Sequence, residues 1–183
     1  MASPRVPEPD ARLPRPAAGS SARSAEIPWG DPAVVLATCG WLGRFPIAPG
    51  TVGAALGIGL SAAAAAAGMP PPLEGALILI ACAVGIPVCD SAARRMGSGD
   101  PGGIIWDEMA SVPLGLLVVP AADRTPMVFL AAFVLHRIFD IWKPFPCRQL
   151  DRVDGGLGIM ADDWGAAAWM ALGLAIGARA GCW

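Results

Sequence analysis

The chain has 183 residues, of which 55% are hydrophobic and only 15% are charged, with a formal net charge of −2. Soluble domains usually carry about a quarter of charged residues, so this composition and a mean hydropathy of +0.55 favour a membrane protein or an unusually apolar helical bundle. No basic stripe supports nucleic-acid binding, and five cysteines without C-x-x-C spacing beside one histidine argue against a structural zinc site or a disulfide framework.

The first segment, residues 1–29, is rich in Pro, Ala, Ser and Arg and shows no apolar periodicity. This composition predicts a disordered tail. The segment has no continuous apolar stretch before a cleavage site, so it does not resemble a secretory signal. The remaining residues, 30–183, are predicted to form one membrane-associated domain.

Six apolar segments follow the tail, at residues 31–39, 52–69, 73–89, 109–119, 127–141 and 164–178. Crossing the hydrocarbon layer takes about 20 apolar residues, or about 17 at the lower limit. The second and third segments meet that limit, and the last three are marginal, so we expect these to be short, tilted or only partly inserted. The pattern predicts an all-α, membrane-embedded bundle of about four to five apolar helices.

The connections between these segments predict how the helices are arranged. Two tight, proline-containing connections, at 69–72 and 120–126, predict two antiparallel helical hairpins. The segment 40–51 and the long polar connections 90–107 and 142–163 would then lie on one side. That side is rich in basic residues, which places it in the cytoplasm by the positive-inside rule; these are Arg94, Arg95, Lys143, Arg148 and Arg152.

A Gly- and Pro-rich stretch, residues 40–51, runs directly into the first long apolar segment. Thr51 is placed to be the N-cap of that helix. A helix N-terminus offers free N–H groups and the positive end of the helix dipole, which suit a phosphate. A plain capped loop at the membrane surface explains the same stretch, so both interpretations stay open.

Acidic residues stand where other apolar helices are predicted to begin. Asp107 and Glu108 open one of them, and the helix dipole accounts comfortably for one such acid. Glu108 is followed by apolar residues that would draw it toward the hydrocarbon, where an ionisable group is a functional candidate. Asp162 and Asp163 stand at the predicted start of the last helix.

The richest polar cluster follows the fifth apolar segment. Arg137, Asp140 and Lys143 are spaced three apart and share one helix face. They form either an internal ion pair or a phosphate clamp with an acid that holds it in place. Further on, the glycine run 155–158 allows the backbone to approach a ligand closely.

These clusters together suggest metal-assisted phosphate chemistry. Magnesium takes oxygen ligands and is commonly held by one or two carboxylates and by the substrate phosphate, and it can polarise a phosphoryl oxygen and activate water. Arginine and lysine then balance charge on the transferring group. The spacing does not decide which carboxylate is the base and which binds the metal.

Four stretches in order resemble the phosphatidylglycerophosphatase A family: F-P-I-A-P-G-T-V-G (45–53), I-I-W-D-E (104–108), R-I-F-D-I-W-K-P-F-P (137–146) and D-R-V-D-G-G-L-G-I-M-A-D-D (151–163). The resemblance covers about residues 29–178. It implies magnesium-dependent hydrolysis of phosphatidylglycerophosphate to phosphatidylglycerol and phosphate, in phosphatidylglycerol and cardiolipin biosynthesis. It further implies a multi-pass protein of the bacterial inner membrane with its active site on the cytoplasmic face.

The resemblance also implies a set of site residues. The catalytic candidates are Asp107, Glu108, Arg137, Asp140, Lys143, Asp162 and Asp163. The candidate magnesium ligands are Asp107, Glu108, Asp162 and Asp163. The substrate-binding candidates are Pro49, Gly50, Thr51, Asp100, Asp151, Gly155 and Gly156. Ala54, where the family often has serine, and His136, where it often has an aromatic residue, depart from the pattern.

Two other classes of function are open to such a sequence. A small membrane transporter would use intramembrane charges to line a pathway, but no inverted repeat is visible and the charges gather at one face. A soluble helical module that binds a phosphorylated ligand is the third interpretation. The expected partners of the enzyme are a phospholipid substrate and the membrane, not nucleic acid, and homo-oligomer formation stays open.

Overall fold

The structure, a computed structural model, describes residues 28–97 and 102–182. In these residues the chain is helical and contains no strand, which confirms the all-α prediction. The helices are α1 (Pro32–Ala37), α2 (Pro49–Ala66), α3 (Pro71–Met96), α4 (Trp106–Leu116), α5 (Pro126–Trp142), α6 (Cys147–Leu150) and α7 (Gly156–Arg179). Nearly all of the predicted tail lies outside the described residues.

Three of these helices are long and apolar enough to cross a membrane: α2 with 18 residues, α3 with 26 and α7 with 24. A helix rises about 1.5 Å per residue, so even α2 is about 27 Å long and comes close to the thickness of the hydrocarbon layer. Helices α4 and α5 are shorter, with 11 and 17 residues. The apolar helices are therefore compatible with membrane association, as predicted.

The last apolar segment was predicted to be marginal and to begin at about residue 164, and this was wrong. Helix α7 begins at Gly156, so Asp162 and Asp163 lie about two turns inside it rather than at its start. Gly155, which has a φ of 79°, turns the chain into the helix. The helix tolerates the acidic pair because these side chains face other polar groups of the bundle, as described below.

The predicted start of α2 was also wrong. The helix begins at Pro49, and Ala48, not Thr51, is the residue before its first turn. Proline suits the first position of a helix because its φ is already helical and its missing N–H has no partner there. Thr51 thus lies inside the first turn of the helix.

The short helix α4 occupies the centre of the bundle. It packs against α2, α3, α5 and α7, while α5 also packs on α2 and α7, and α7 packs on α3. The prolines at 70–72 do turn the chain between α2 and α3 as predicted, but these two helices have few contacts with each other in the described part of the chain. Each packs on α4 instead.

The two ends of the bundle carry different polar groups. The first turns of α2 and α4, the early part of α7 and the last turn of α5 line a common cavity. At the other end, Glu74 in the first turn of α3 pairs with Arg124 from the turn before α5. Helices α2, α4 and α7 therefore run in one direction and α3 and α5 in the other. This places segments 40–51 and 142–163 at the same end, as the hairpin prediction required.

The Glu74–Arg124 ion pair is buried and fully engaged. The guanidinium Nη1 and Nη2 donate to the two carboxylate oxygens over 2.5 and 3.1 Å, and Nε donates to the backbone oxygen of Val119 over 3.0 Å. Both side chains are less than a tenth exposed. This bidentate geometry is the arrangement in which a buried ion pair best compensates for lost hydration.

Candidate active site

A cavity of about 540 Å³ opens at the common end of α2, α4, α5 and α7. All seven predicted catalytic residues line it. Four of the predicted substrate-binding residues also line it: Pro49, Gly50, Asp151 and Gly155. Thr51 and Gly156 are not among its lining residues, and Asp100 lies outside the described residues.

Three carboxylates meet at the inner wall of this cavity. Asp107 and Glu108 come from the first turn of α4, and Asp163 comes from α7. Oxygen atoms of the three lie within 4.8 Å of one another, and all three residues are buried. We call Asp107, Glu108 and Asp163 the carboxylate centre. The N-terminus of α4 partly offsets the negative charge of Asp107 and Glu108 in its first turn.

The carboxylate centre is chemically incomplete by itself. Asp107 Oδ1, Glu108 Oε2 and Asp163 Oδ1 are buried and have no hydrogen-bond partner among residues 28–97 and 102–182. Three adjacent buried carboxylates repel one another and lose hydration, so the arrangement is costly without a cation. An all-oxygen donor set of this kind fits a hard divalent cation such as Mg²⁺. The residues present therefore fit the predicted metal class.

Arg137 stands beside the carboxylate centre. Its Nη1 donates to Asp140 Oδ2 over 2.6 Å and lies 3.7 Å from Glu108 Oε1. The spacing of three residues on α5 thus brings Arg137 and Asp140 together, as the sequence suggested. Asp140 holds the guanidinium at the cavity wall, where the remaining donors can face an anionic ligand.

Lys143 forms a second charged group on the same wall. Its Nζ donates to Asp162 Oδ2 over 2.7 Å and also pairs with Asp151. Burial lowers the pKa of Lys143, but its hydrogen bonds to Asp151 and Asp162 outweigh this and raise the pKa above the ordinary value. The structure thus groups Asp162 with Lys143 rather than with the three clustered carboxylates. Its role as a metal ligand stays a prediction.

Glycine at position 50 permits the close approach of α2 to the charged groups. A Cβ atom there would collide with Glu108 Oε1 and lie 3.0 Å from Arg137 Nη1. One turn further, a Cβ at Gly53 would lie 3.1 Å from Glu108 Oε2. The backbone of α2 therefore packs directly on the carboxylate that α4 presents, and a side chain at either position would displace that carboxylate.

Substitution of Gly50 by Ala is expected to lower phosphate release by roughly tenfold or more, because a displacement of about 1 Å in a catalytic group can cost about 100-fold. Gly59→Ala is the matched control, since a Cβ at Gly59 on the same helix meets no atom within 4 Å. Steady-state phosphate release by both purified variants measures the difference. Equal activity of the two would show that Gly50 does not set the geometry of Glu108.

Sequence reasoning missed four polar residues at or near this site: Asp154, which lines the cavity, and His136, Ser111 and Asp90. His136 is fully buried, with Nε2 3.1 Å from Ser111 Oγ and 3.8 Å from Asp163 Oδ1. Asp90 on α3 accepts a hydrogen bond from the N–H of Gly156 over 3.2 Å and so fixes the start of α7. His136 was noted only as a departure from a pattern. A polar residue in an apolar helix was the available signal for His136 and for Ser111.

Comparisons with known proteins give a family match and several relatives. The family model described as phosphatidylglycerophosphatase A matches residues 35–178. The phosphatidylglycerophosphatase A of Escherichia coli K12 is 37% identical over 122 residues, which cover 66% of this chain and 69% of that protein. The Haemophilus influenzae protein of the same name is 41% identical over 87 residues, 47% of this chain and 52% of that protein.

A third relative carries a different name. A Bacteroides thetaiotaomicron protein, provisionally named a phosphatidylinositol-3-phosphatase, is 47% identical over 64 residues, 35% of this chain and 40% of that protein. No solved structure matches the chain significantly. The family match spans most of the chain and includes every described residue of the cavity wall. The chain therefore belongs to the phosphatidylglycerophosphatase A family.

Proposed function

We propose that this protein hydrolyses the terminal phosphate monoester of phosphatidylglycerophosphate to give phosphatidylglycerol and phosphate. The observation that carries the proposal is one cavity, at the end of an apolar bundle, that holds three partly unpartnered carboxylates beside Arg137 and Lys143. The names of the two enzymes from Escherichia coli and Haemophilus influenzae supply the substrate. Family membership favours an enzyme over the transporter and the soluble binding module.

Magnesium is the proposed cofactor, and Asp107, Glu108 and Asp163 would hold it. Their unpartnered oxygens provide the ligand set that a small divalent cation requires. When bound, the ion would supply Lewis-acid chemistry that withdraws charge from the phosphoryl group. Asp162, the fourth predicted ligand, would serve mainly to balance the charge of Lys143.

The basic residues would bind the substrate phosphate. Arg137 and Lys143 present donors toward the cavity, and each is oriented by an acid, Asp140 for Arg137 and Asp162 for Lys143. Phosphoryl transfer spreads negative charge over the phosphoryl oxygens, so fixed cations stabilise the transition state more than the ground state. Asp140 and Asp162 therefore act as positioning residues.

The carboxylate centre would also manage the proton. Water attacks phosphorus, the bond from phosphorus to the glycerol oxygen breaks, and one carboxylate oxygen accepts the proton of the water. The same group then returns the proton to the departing glycerol oxygen, so that the site is regenerated.

We propose that the protein spans the bacterial inner membrane several times, with the cavity at the cytoplasmic face. The three long apolar helices support the spans, and basic residues of the cavity-end segments support the orientation. In this position the enzyme would act in phosphatidylglycerol and cardiolipin biosynthesis. Homo-oligomer formation stays an open prediction.

The decisive test is phosphate release from phosphatidylglycerophosphate by purified protein in detergent micelles. We expect turnover with Mg²⁺ and its loss with EDTA, because EDTA removes the cation that the carboxylate centre would hold. Phosphatidylinositol 3-phosphate and free glycerol 3-phosphate serve as comparison substrates. Faster hydrolysis of phosphatidylinositol 3-phosphate would reassign the head group, and undiminished turnover in EDTA would refute the metal-dependent mechanism.

A further inference from the structure

Five large apolar side chains are exposed beside the cavity. Phe45 is 58% exposed, Ile47 75%, Ile141 74%, Trp142 65% and Phe145 75%. Four of these are the most exposed large hydrophobic side chains in the described part of the chain. We call the five residues the aromatic rim, after its three aromatic members; the other two are isoleucines. Their exposure requires an explanation, since exposed apolar surface of this kind marks contact with a partner, a ligand or a membrane.

The aromatic rim lies outside the three candidate membrane spans. Two members precede α2, which begins at Pro49, and the other three lie at or just beyond the end of α5. Contact with the acyl chains around these three helices therefore does not explain them. Aromatic side chains at the ends of apolar helices are typical of the membrane–water interface, where their rings meet lipid head groups and the first methylene groups.

The aromatic rim borders the cavity on two sides. Ile47 directly precedes Ala48, and Trp142 directly precedes Lys143; both Ala48 and Lys143 line the cavity. Helices α2 and α5, which adjoin the two parts of the rim, pack against each other. The cavity mouth thus presents cationic and acidic groups inside and apolar side chains at its edge.

The two rim segments are held in defined conformations. Ala48 and Lys143 adopt left-handed φ angles of 49° and 47°, which non-glycine residues rarely adopt without tertiary contacts that impose them. The indole Nε1 of Trp169 donates to the backbone oxygen of Phe145 over 3.0 Å. The fold therefore turns these apolar side chains outward at a fixed place rather than leaving them on an unstructured loop.

We propose that the aromatic rim binds the acyl chains of the phospholipid substrate while its phosphorylated head group occupies the cavity. The proposal rests on the proposed function and adds a subsite to it. A diacyl phospholipid has a charged head and an apolar tail, which is the same division that the cavity and the rim present. With its acyl chains on the rim, the lipid would place its phosphate near Arg137 and Lys143 without drawing those chains out of the bilayer.

The kinetic test uses two double variants, Phe45→Ser with Ile47→Ser and Trp142→Ser with Phe145→Ser. Each is assayed with a long-chain phosphatidylglycerophosphate in mixed micelles and with its water-soluble dihexanoyl analogue. We expect the KM for the long-chain substrate to rise roughly tenfold, equivalent to about 1.4 kcal/mol, because apolar contact area is lost. Both constants for the short-chain analogue should stay within about twofold.

The matched control is Leu79→Ser with Ile80→Ser, which removes two exposed apolar side chains from α3, away from the cavity. It should leave both substrates unaffected. Equal losses on the long- and short-chain substrates in the rim variants would overturn the proposal, since the rim would then shape the site itself. Unchanged kinetics accompanied by loss of a dimer would assign the rim to a second copy of the chain and overturn it as well.

A binding measurement separates this proposal from the proposed function. A phosphatidylglycerophosphate with a photoactivatable group in its acyl chain should label the peptide containing residues 141–145 in wild-type protein and in Glu108→Gln. Labelling without turnover in the wild type would support the rim and refute the phosphatase activity. Turnover with labels only on α2, α3 or α7 would support the activity and refute the rim.

Discussion

Replacement of Glu108 by Gln should lower magnesium-dependent phosphate release by at least about 100-fold. Mutation of a residue that only supports a metal ligand already lowers metal affinity or activity by about 10- to 100-fold. Glu108 itself lies in the carboxylate centre. The amide keeps the size of the side chain but removes one negative charge from three clustered carboxylates. The metal-free fold should therefore be at least as stable as the wild type, because repulsion in the centre is reduced.

Two measurements together test this expectation. Phosphate release gives the activity, and thermal unfolding in detergent with and without Mg²⁺ reports metal binding independently of turnover, since a ligand that binds the folded state stabilises it. The wild type should gain stability with Mg²⁺, and Glu108→Gln should gain much less. Asp123→Asn, in the turn before α5 and away from the cavity, is the control. Normal turnover by Glu108→Gln would remove this residue from the site.

Replacement of Arg124 by Met should destabilise the protein by about 3–5 kcal/mol, because it leaves the Glu74 carboxylate buried without its partner. The ion pair joins the start of α3 to the turn between α4 and α5, at the end opposite to the cavity. Its loss should lower the unfolding temperature while the KM of the remaining folded enzyme stays unchanged, since neither residue lines the cavity.

The companion variant changes both partners at once. Glu74→Met with Arg124→Met removes both charges, and apolar replacement of a whole buried pair is often neutral or stabilising. We therefore expect the double variant to recover most of the stability lost by Arg124→Met alone. Unfolding in detergent, followed by circular dichroism, measures all three proteins. Similar stability of Arg124→Met and the wild type would show that the pair contributes little.

Much of the fold could be predicted because apolar length and proline breaks are local properties of the sequence. The tight turns at 69–72 and 120–126 separate helices as expected, and segments 40–51 and 142–163 meet at one end. The central position of α4 could not be predicted. Its 11 residues indicate only a marginal helix. Its central place depends on the neighbouring helices against which it packs, and this packing is a tertiary property.

The candidate site could be predicted as a set of residues but not in its internal grouping. Charged residues in or next to apolar segments are recognisable as functional candidates from the sequence. All seven catalytic candidates line the cavity. Asp162 and Asp163 were both predicted to open the last helix and to bind magnesium. On a helix, neighbouring residues point about 100° apart, and the structure turns one toward Lys143 and the other toward the carboxylate centre. Only the true start of α7 reveals this division.

The unbroken course of α7 limits how this family can vary in length. Insertion of one residue between Gly158 and Asp162 would rotate both acids by about 100° around the helix axis. Neither Lys143 nor the carboxylate centre would then meet its acid. An insertion before Gly155 would instead leave this register unchanged, because it precedes the first turn of α7. Related sequences should therefore differ in length within residues 151–154 and keep a constant spacing from Gly155 to Asp163.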